Sequence, residues 1–346
     1  MKVGFDVSAL HGAHPAGVVR AVRCVVDALE RRGRIEVVRL APEAGRSLRA
    51  WRWRDLPRAA KNDLVGIHSF TSAFPWRGPG RRVQTVHELP WRHGVDENAG
   101  LKHRLWAALG PLFADRVLCP TEFVARDLRR RLLPGASRVR VVPWGVGPPY
   151  AEEPPPGVVD EVVLERYRLG EDPIVLCLGA VRPKKNLAAV IRGLAEVRRR
   201  NGPKIQLVVT GPDTPQLRSD LGLASRLGLG RWILTVEEVD EEHLPSLLRL
   251  ASVVAVLSHS EGFGLPALEA LACGTPVVVA RDTAQAEVAG VCGIEVEPDD
   301  PASVADGLER AVREREELRY RLPERARELS WDACAERIEA VWEELV

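Results

Sequence analysis

Apolar and polar positions alternate along the chain in short β-branched runs separated by stretches of helical period. This rhythm of strand, helix and strand builds a parallel sheet covered on both faces. In the first half the pattern predicts strands over Lys2–Val7, Ile35–Leu40, Leu64–Ile67, Val83–Val86, Arg116–Cys119 and Val139–Val142. It predicts helices over Val18–Arg31, Leu101–Phe113 and Glu122–Arg131, the last with Thr121 as N-cap. Between Pro148 and Pro156 five prolines fall in nine residues, too many for a helix or sheet interior, and a domain boundary is expected there. The same rhythm then restarts. Ile174–Leu178 reads as a buried strand, and Asn186 as the cap of a helix whose apolar face is Leu187, Val190, Ile191, Leu194 and Val197. Further strands follow over Ile205–Val209, Ile233–Val236, Val253–Leu257 and Val277–Ala280, with an Asp240-capped helix to about Ala251 and a short helix from Pro266 to Ala272, ended by Gly274. The expectation is an α/β chain of two doubly wound, Rossmann-like domains, residues 1–150 and 151–330, facing a central cleft at the carboxyl ends of their strands.

Composition agrees with a folded two-domain chain: 346 residues, 45% hydrophobic and 28% charged. The longest apolar runs fall well short of the roughly 18 residues that span a bilayer. The amino-terminal run is broken at once by Asp6, so it reads as a first strand and a cytoplasmic location is expected. Six cysteines, Cys24, Cys119, Cys177, Cys273, Cys292 and Cys334, show no paired or metal-ligand spacing and read as buried thiols. The net charge of +1 conceals an asymmetry. Residues 1–150 hold 26 Lys+Arg against 13 Asp+Glu, and residues 151–346 hold 23 against 35. A basic half suits an anionic partner, whether a membrane surface, a phosphorylated acceptor or nucleic acid; it suits equally a complementary domain face. The run Trp51-Arg52-Trp53-Arg54 mixes aromatics with cations and reads as a loop under the acceptor face or a lipid-surface contact. No recognition motif accompanies the charge, so nucleic acid is not expected as a partner.

The densest chemistry lies in Ser258-His259-Ser260-Glu261-Gly262-Phe263-Gly264-Leu265-Pro266-Ala267-Leu268-Glu269. It follows a buried strand, passes through glycines and enters a helix at Pro266, so the amides from Gly264 to Leu268 are candidates to hold phosphate or sugar oxygen. Glu261 and Glu269, eight positions apart, fall on the loop and the first helical turn, within reach of one pocket. Taken singly, these residues have plainer readings. A helix-borne Glu is ordinarily a solvated charge, Lys184-Lys185 an ordinary helix entry, His87 a capped strand end and His259 a packing or loop residue.

Taken together, the segments resemble the retaining family 4 glycosyltransferases of GT-B fold. Glu261 to Glu269 is similar to the family's E-x(7)-E signature, and Leu178-Gly179 through Val181-Arg182-Pro183-Lys184-Lys185-Asn186-Leu187 to its donor phosphate loop. Val141-Val142-Pro143-Trp144-Gly145-Val146 is similar to its interdomain segment, with Trp144 where Asn is usual. Val86-His87-Glu88-Leu89 is similar to its acceptor-side turn, with Glu88 for Asp. Ala16-Gly17-Val18-Val19-Arg20 resembles its amino-terminal glycine loop, and residues 331–346 the helix that crosses back to the first domain.

The resemblance implies roles. Glu269 accepts hydrogen bonds from the donor ribose, while Glu261 with the amides of Phe263, Gly264 and Leu265 holds the transferred sugar. Lys185, with Lys184 or Arg182, neutralises the leaving diphosphate. His87 lies on the acceptor side, and Gly17 lets backbone approach the donor phosphate. Ala180 stands where many members carry Arg, with Arg182 as the replacement for its charge. The implied reaction is retaining, metal-independent transfer of a mannose- or glucose-type hexose from a nucleotide sugar, a co-substrate with no further cofactor. The implied acceptor is a glycan or lipid-linked intermediate of polysaccharide or glycoconjugate synthesis, met at the inner face of an anionic membrane. Two alternatives share the fold: a sugar-nucleotide epimerase, and a catalytically silent nucleotide-sugar-binding scaffold protein.

Overall fold

Strand β1 (Lys2–Asp6) pairs in parallel with β2 (Glu36–Leu40) on one side and β3 (Gly66–Ser69) on the other. β4 (Arg81–Thr85), β5 (Arg116–Cys119) and β6 (Val139–Val141) extend the sheet, giving the order β2-β1-β3-β4-β5-β6. A second parallel sheet runs β12-β11-β10-β7-β8-β9, built from β7 (Ile174–Cys177), β8 (Gln206–Thr210), β9 (Ile233–Val236), β10 (Val253–Val256), β11 (Val277–Ala280) and β12 (Gly293–Val296). Read from its own first strand, the second sheet has the 3-2-1-4-5-6 order of dinucleotide folds, and its winding reverses between β7 and β10. The first sheet reverses between β1 and β3. The computed structural model describes residues 1–346 except 12–14, 44, 46, 60–62, 72, 73, 76, 79, 95–103, 105–108, 132–134, 157 and 159, and the side chains of residues 49 and 131. Most of the helix expected over Leu101–Phe113 falls outside the described residues; 109–113 are helical.

The chain divides into two units, Met1–Gly145 with Leu329–Val346, and Val146–Glu328. In the first, helix α1 (Ala16–Arg32) buries Val22, Val25, Val26 and Leu29, and α2 (Glu122–Arg131) is capped by the Thr121 hydroxyl, which accepts from the Val124 amide at 3.3 Å. In the second, α3 (Leu187–Arg199) lays the expected face of Leu187, Val190, Ile191, Leu194 and Val197 onto the sheet. Asn186 does not cap it through its side chain; it sits in the left-handed region at φ 52°, where a short polar residue is tolerated. Nor does Asp240 cap the following helix. Its carboxylate faces Arg166 and His243 instead.

Helices not anticipated include α4 (Pro215–Arg226), α6 (Ala284–Ala289) and α7 (Pro301–Leu318), of which α4 and α6 flank the site below. Between α4 and α6 lies α5 (Leu265–Ala272). The terminal helix α8 (Trp331–Glu343) opens on a Ser330 cap and joins the first unit through ion pairs: Asp332 with Arg31 at 2.8 Å, Glu339 with Arg32 at 3.0 Å, and Glu344 with Arg116 and Arg140. Gly145 is required beside it, because a Cβ there would fall 2.2 Å from the backbone of Ser330 and Trp331. Residues 329–346 hold five acidic side chains and one Arg, so they lower the first unit's excess from +13 to +9.

All six cysteines are thiols, with Cys119, Cys273 and Cys334 buried and Cys24, Cys177 and Cys292 half-buried. Among the described residues no helix is long and apolar enough to cross a membrane.

Candidate functional site

The second unit concentrates charge at the reversal of its sheet. The loop after β7 carries Arg182, Lys184 and Lys185, the lysines on a 3-10 turn, Pro183–Lys185. The loop after neighbouring β10 carries Ser258 to Gly264 and runs into α5. The two loops are joined through the backbone, where His259 N–H donates to the Lys184 carbonyl at 2.9 Å. They are joined again through side chains. Lys185 Nζ lies 2.9 Å from Glu261 Oε1, and Lys184 Nζ 3.6 Å from Oε2. Burial works against the Glu261 charge. Lys185 and Lys184, with hydrogen bonds from Lys185 and Ser258, overcome it and hold the carboxyl at about 2.

A crevice at this point is lined by Leu178, Gly179, Lys185, Val256, Ser258 and Pro266. Cys177 also touches it, but burial pushes that thiol up to about 12 despite the nearby Lys185, so it is no nucleophile.

Gly264 begins α5 at φ 99°, and a Cβ there would meet the Cβ of Gln285 at 2.8 Å. The expected row of helix-head amides is shorter than the sequence suggested. Ala267 and Leu268 N–H both donate to the Gly264 carbonyl, and Pro266 has no N–H, which removes these three from the row of donors. Glu269 is buried in the second turn of α5, not the first, because the helix begins at Leu265. Arg182 is half-buried in the same loop, and His259 is an exposed loop residue.

Several positioning groups escaped the sequence reading. Gln285, buried at the start of α6, donates through Nε2 to the Ser258 carbonyl at 2.7 Å and fixes the end of β10. Thr210 accepts from the Gly179 amide at 3.2 Å, and Thr214, the cap of α4, donates to the Val181 carbonyl at 2.7 Å. These are ordinary polar residues far from the motifs, and nothing in the local pattern marks them.

In the first unit, His87 follows β4. Its Nε2 lies 2.6 Å from the Phe70 carbonyl, so Nε2 carries the proton and Nδ1 is the basic nitrogen of the neutral ring. Its ring meets Trp144 edge-on at 5.1 Å, a contact the usual Asn could not make. At the sheet reversal Asp6, fully buried, accepts from the Trp51 indole at 3.0 Å, the Ser8 amide at 3.1 Å and the Ser69 hydroxyl at 3.3 Å. Burial, with His87 nearby, lowers His68 to about 3, and it remains neutral beside the Thr85 hydroxyl.

Three expectations in this unit are corrected. Gly17 is not in a loop but in the first turn of α1, which starts immediately after Pro15 because the Val18 and Val19 amides bond its carbonyl. Trp51–Asp55 is a π-helical turn rather than a loop, with Trp51 in the core and Trp53 and Arg54 exposed. Arg52 is not an exposed cation: burial lowers its pKa, with Asp6 opposing the shift. Arg129 pairs with Glu122, Arg54 and Arg130 are exposed, and the Arg131 side chain lies outside the described residues. Among the described residues no three His, Cys, Asp or Glu side chains gather as a metal-binding group.

Residues 4–148 match the family model described as Glycosyltransferase Family 4, and residues 164–329 the model described as Glycosyl transferases group 1. A D-inositol 3-phosphate glycosyltransferase of Corynebacterium jeikeium (strain K411) is 28% identical across 94% of this chain and 82% of its own. Further proteins of that name align over 37 to 54% of their length. Among solved structures, a sucrose-phosphate synthase from Thermosynechococcus elongatus superposes with a TM-score of 0.80 at 22% identity, over 99% of this chain and 98% of that one. The Anabaena protein Alr3699/HepE in complex with UDP-glucose superposes at 0.74 and 16% identity over both chains entire. These likenesses establish the GT-B class of α/β fold.

Proposed function

The chain belongs to the family 4 glycosyltransferases, and we propose that it moves a mannose- or glucose-type hexose from a nucleoside diphosphate to a glycan or lipid-linked acceptor, with retention and without a metal or other cofactor. The observation that carries this reading is the Lys184–Glu261–Lys185 cluster at the sheet reversal, beside the head of α5. Breaking the bond between sugar and diphosphate leaves negative charge on the departing group, and stabilising it is the largest catalytic term available. Lys185 supplies a cation, and the amides of Gly264 and Leu265 supply the positive end of a helix. Glu269 grips the donor ribose, Glu261 holds hydroxyls of the hexose, and Arg182 adds charge where Ala180 cannot. In a front-face displacement the leaving phosphate takes the acceptor proton. His87 is assigned to the acceptor step and Gly17 to close approach of the donor. A relative solved with UDP-glucose supports a nucleotide-sugar donor.

A thermal-shift panel of UDP-glucose, GDP-mannose and UDP-N-acetylglucosamine tests the donor, since a ligand that binds only the folded state raises the midpoint. Transfer of labelled hexose to an acceptor in EDTA then tests the chemistry. Binding without transfer or hydrolysis would favour a silent scaffold, and activity restored only by Mg²⁺ or Mn²⁺ would overturn the metal-free mechanism. Exposed arginines of the first unit, Arg54 and Arg130, are proposed as the points of a peripheral contact with anionic lipid at the inner face of the membrane.

A further inference from the structure

We propose that Lys184 is a positioning residue, a fixed counter-ion that keeps Glu261 ionised when Lys185 turns to the donor's diphosphate. The inference rests on the donor reading above. The two lysines are adjacent on one 3-10 turn and share one carboxylate, but they are not equivalent. Lys185 makes the shorter contact, is 22% exposed and lines the crevice. Lys184 is 5% exposed, does not line that crevice, and its carbonyl is tied to the His259 amide in the loop that presents Glu261. One residue can therefore reach a ligand, while the other is packed against the carboxylate.

The electrostatic consequence is specific. A carboxylate with 15% of its side chain exposed that lost its only cation would take up a proton. A protonated Glu261 accepts fewer hydrogen bonds from sugar hydroxyls and presents a donor in place of an acceptor. With Lys184 in place, Lys185 can leave without that change. The side chains that act most strongly on Glu261 are Lys184 and Lys185 from the turn after β7 and Ser258 from the loop after β10, and of these the lysines are charged. The side chain that reaches this loop from α6 is the neutral Gln285.

The test begins without ligand. In Lys185→Met, which imitates the departed lysine, the Glu261 carboxyl followed by ¹³C NMR should still titrate below the ordinary value of about 4.3. In Lys184→Met/Lys185→Met it should titrate above it, and Lys184→Arg in the Lys185→Met background should restore the low value. The same carboxyl titration in both Met variants would overturn the proposal, as would a value already raised in Lys185→Met alone. Should the double variant fail to fold, Lys184→Gln decides. Calorimetry with the nucleotide sugar that stabilises the wild type, in buffers of different ionisation heat, should show no proton uptake at neutral pH for the wild type. Lys184→Gln should take up close to one proton per donor, its affinity falling up to about tenfold per pH unit as pH rises. Binding by Lys184→Gln without proton uptake would overturn the role of Lys184 and leave the donor site standing. If no nucleotide sugar binds the wild type, the donor reading falls while the ligand-free titration still decides whether Lys184 holds Glu261.

Discussion

The two units carry six-stranded parallel sheets of similar winding, and each gathers buried polar groups where the winding reverses, yet they dispose of them in opposite ways. The first unit encloses its groups among neutral partners. Asp6 is enclosed by Trp51, Ser8 and Ser69, and His68 is held neutral by burial. The second unit sets two lysines against one glutamate beside the head of a helix, which leaves an excess of one positive charge at a crevice. An enclosed cluster is sealed from ligands, whereas a cluster with surplus charge at a crevice is prepared for an anion.

The largest expected effect falls on that surplus. Lys185→Met should lower kcat by roughly 10²- to 10³-fold, about 2.7–4 kcal/mol, the range seen when a group that stabilises developing negative charge is removed. Steady-state transfer assays check it, and an unchanged kcat would return the second unit's cluster to a structural role. Glu269→Ala follows. Losing a hydrogen bond to a charged group costs about 1.5–3 kcal/mol, or roughly 10- to 150-fold in donor affinity, with the circular dichroism spectrum retained. Equal affinity by titration calorimetry would remove Glu269 from the donor.

How far these groups were legible depends on contiguity along the chain. Lys184, Lys185, Glu261 and Glu269 occupy two short segments with fixed spacing, so both the local chemistry and the family pattern pointed to them. Asp6, Trp51 and Ser69 meet only because β1, the π-helical turn and β3 converge, and no spacing records that. Gln285 and Thr214 act through carbonyls, which leave no trace in side-chain patterns. The strands were placed to within two residues because β-branched runs announce them, but Gly293–Val296 was missed as a strand. Its Gly-Ile-Glu-Val opens on glycine and carries a glutamate, too polar a run to stand out from a loop. Arg52 misled for the converse reason: a cation between two tryptophans resembles a surface contact, and only the π-helical turn half-buries it.

Acid should separate the units. His68 is lowered in the folded state from 6.5 to about 3, so below 6.5 the unfolded chain binds a proton that the folded chain refuses. The first unit therefore loses up to about 1.4 kcal/mol per pH unit as pH falls from 6.5 towards 3. Glu261 is lowered from 4.5 to about 2, and its contribution is full above 4.5 and lost as pH falls from there towards 2. Hydrogen exchange resolved by unit should show the first loosening at a higher pH than the second, and His68→Gln should abolish that lead. A lead that persists in His68→Gln would place the acid sensitivity elsewhere.

The smallest effect concerns lipid. With Arg52 half-buried and Arg129 paired, the exposed Arg130, and Arg54 with its Asp55 partner, would each add at most about 1 kcal/mol near an anionic surface. Flotation should recover more protein with anionic than neutral liposomes at low salt, and the difference should vanish at high salt. Equal recovery throughout would leave the ion pairs with the acidic helix α8 as the main use of the first unit's positive charge.

The contrast between the units is tested most directly by hydrogen exchange on the full chain, with and without the nucleotide sugar that stabilises it. The donor site assigned to the second unit's sheet reversal predicts slowed exchange in residues 178–186 and 258–272. A nucleotide sugar that raises the melting temperature yet leaves both segments unchanged would contradict it.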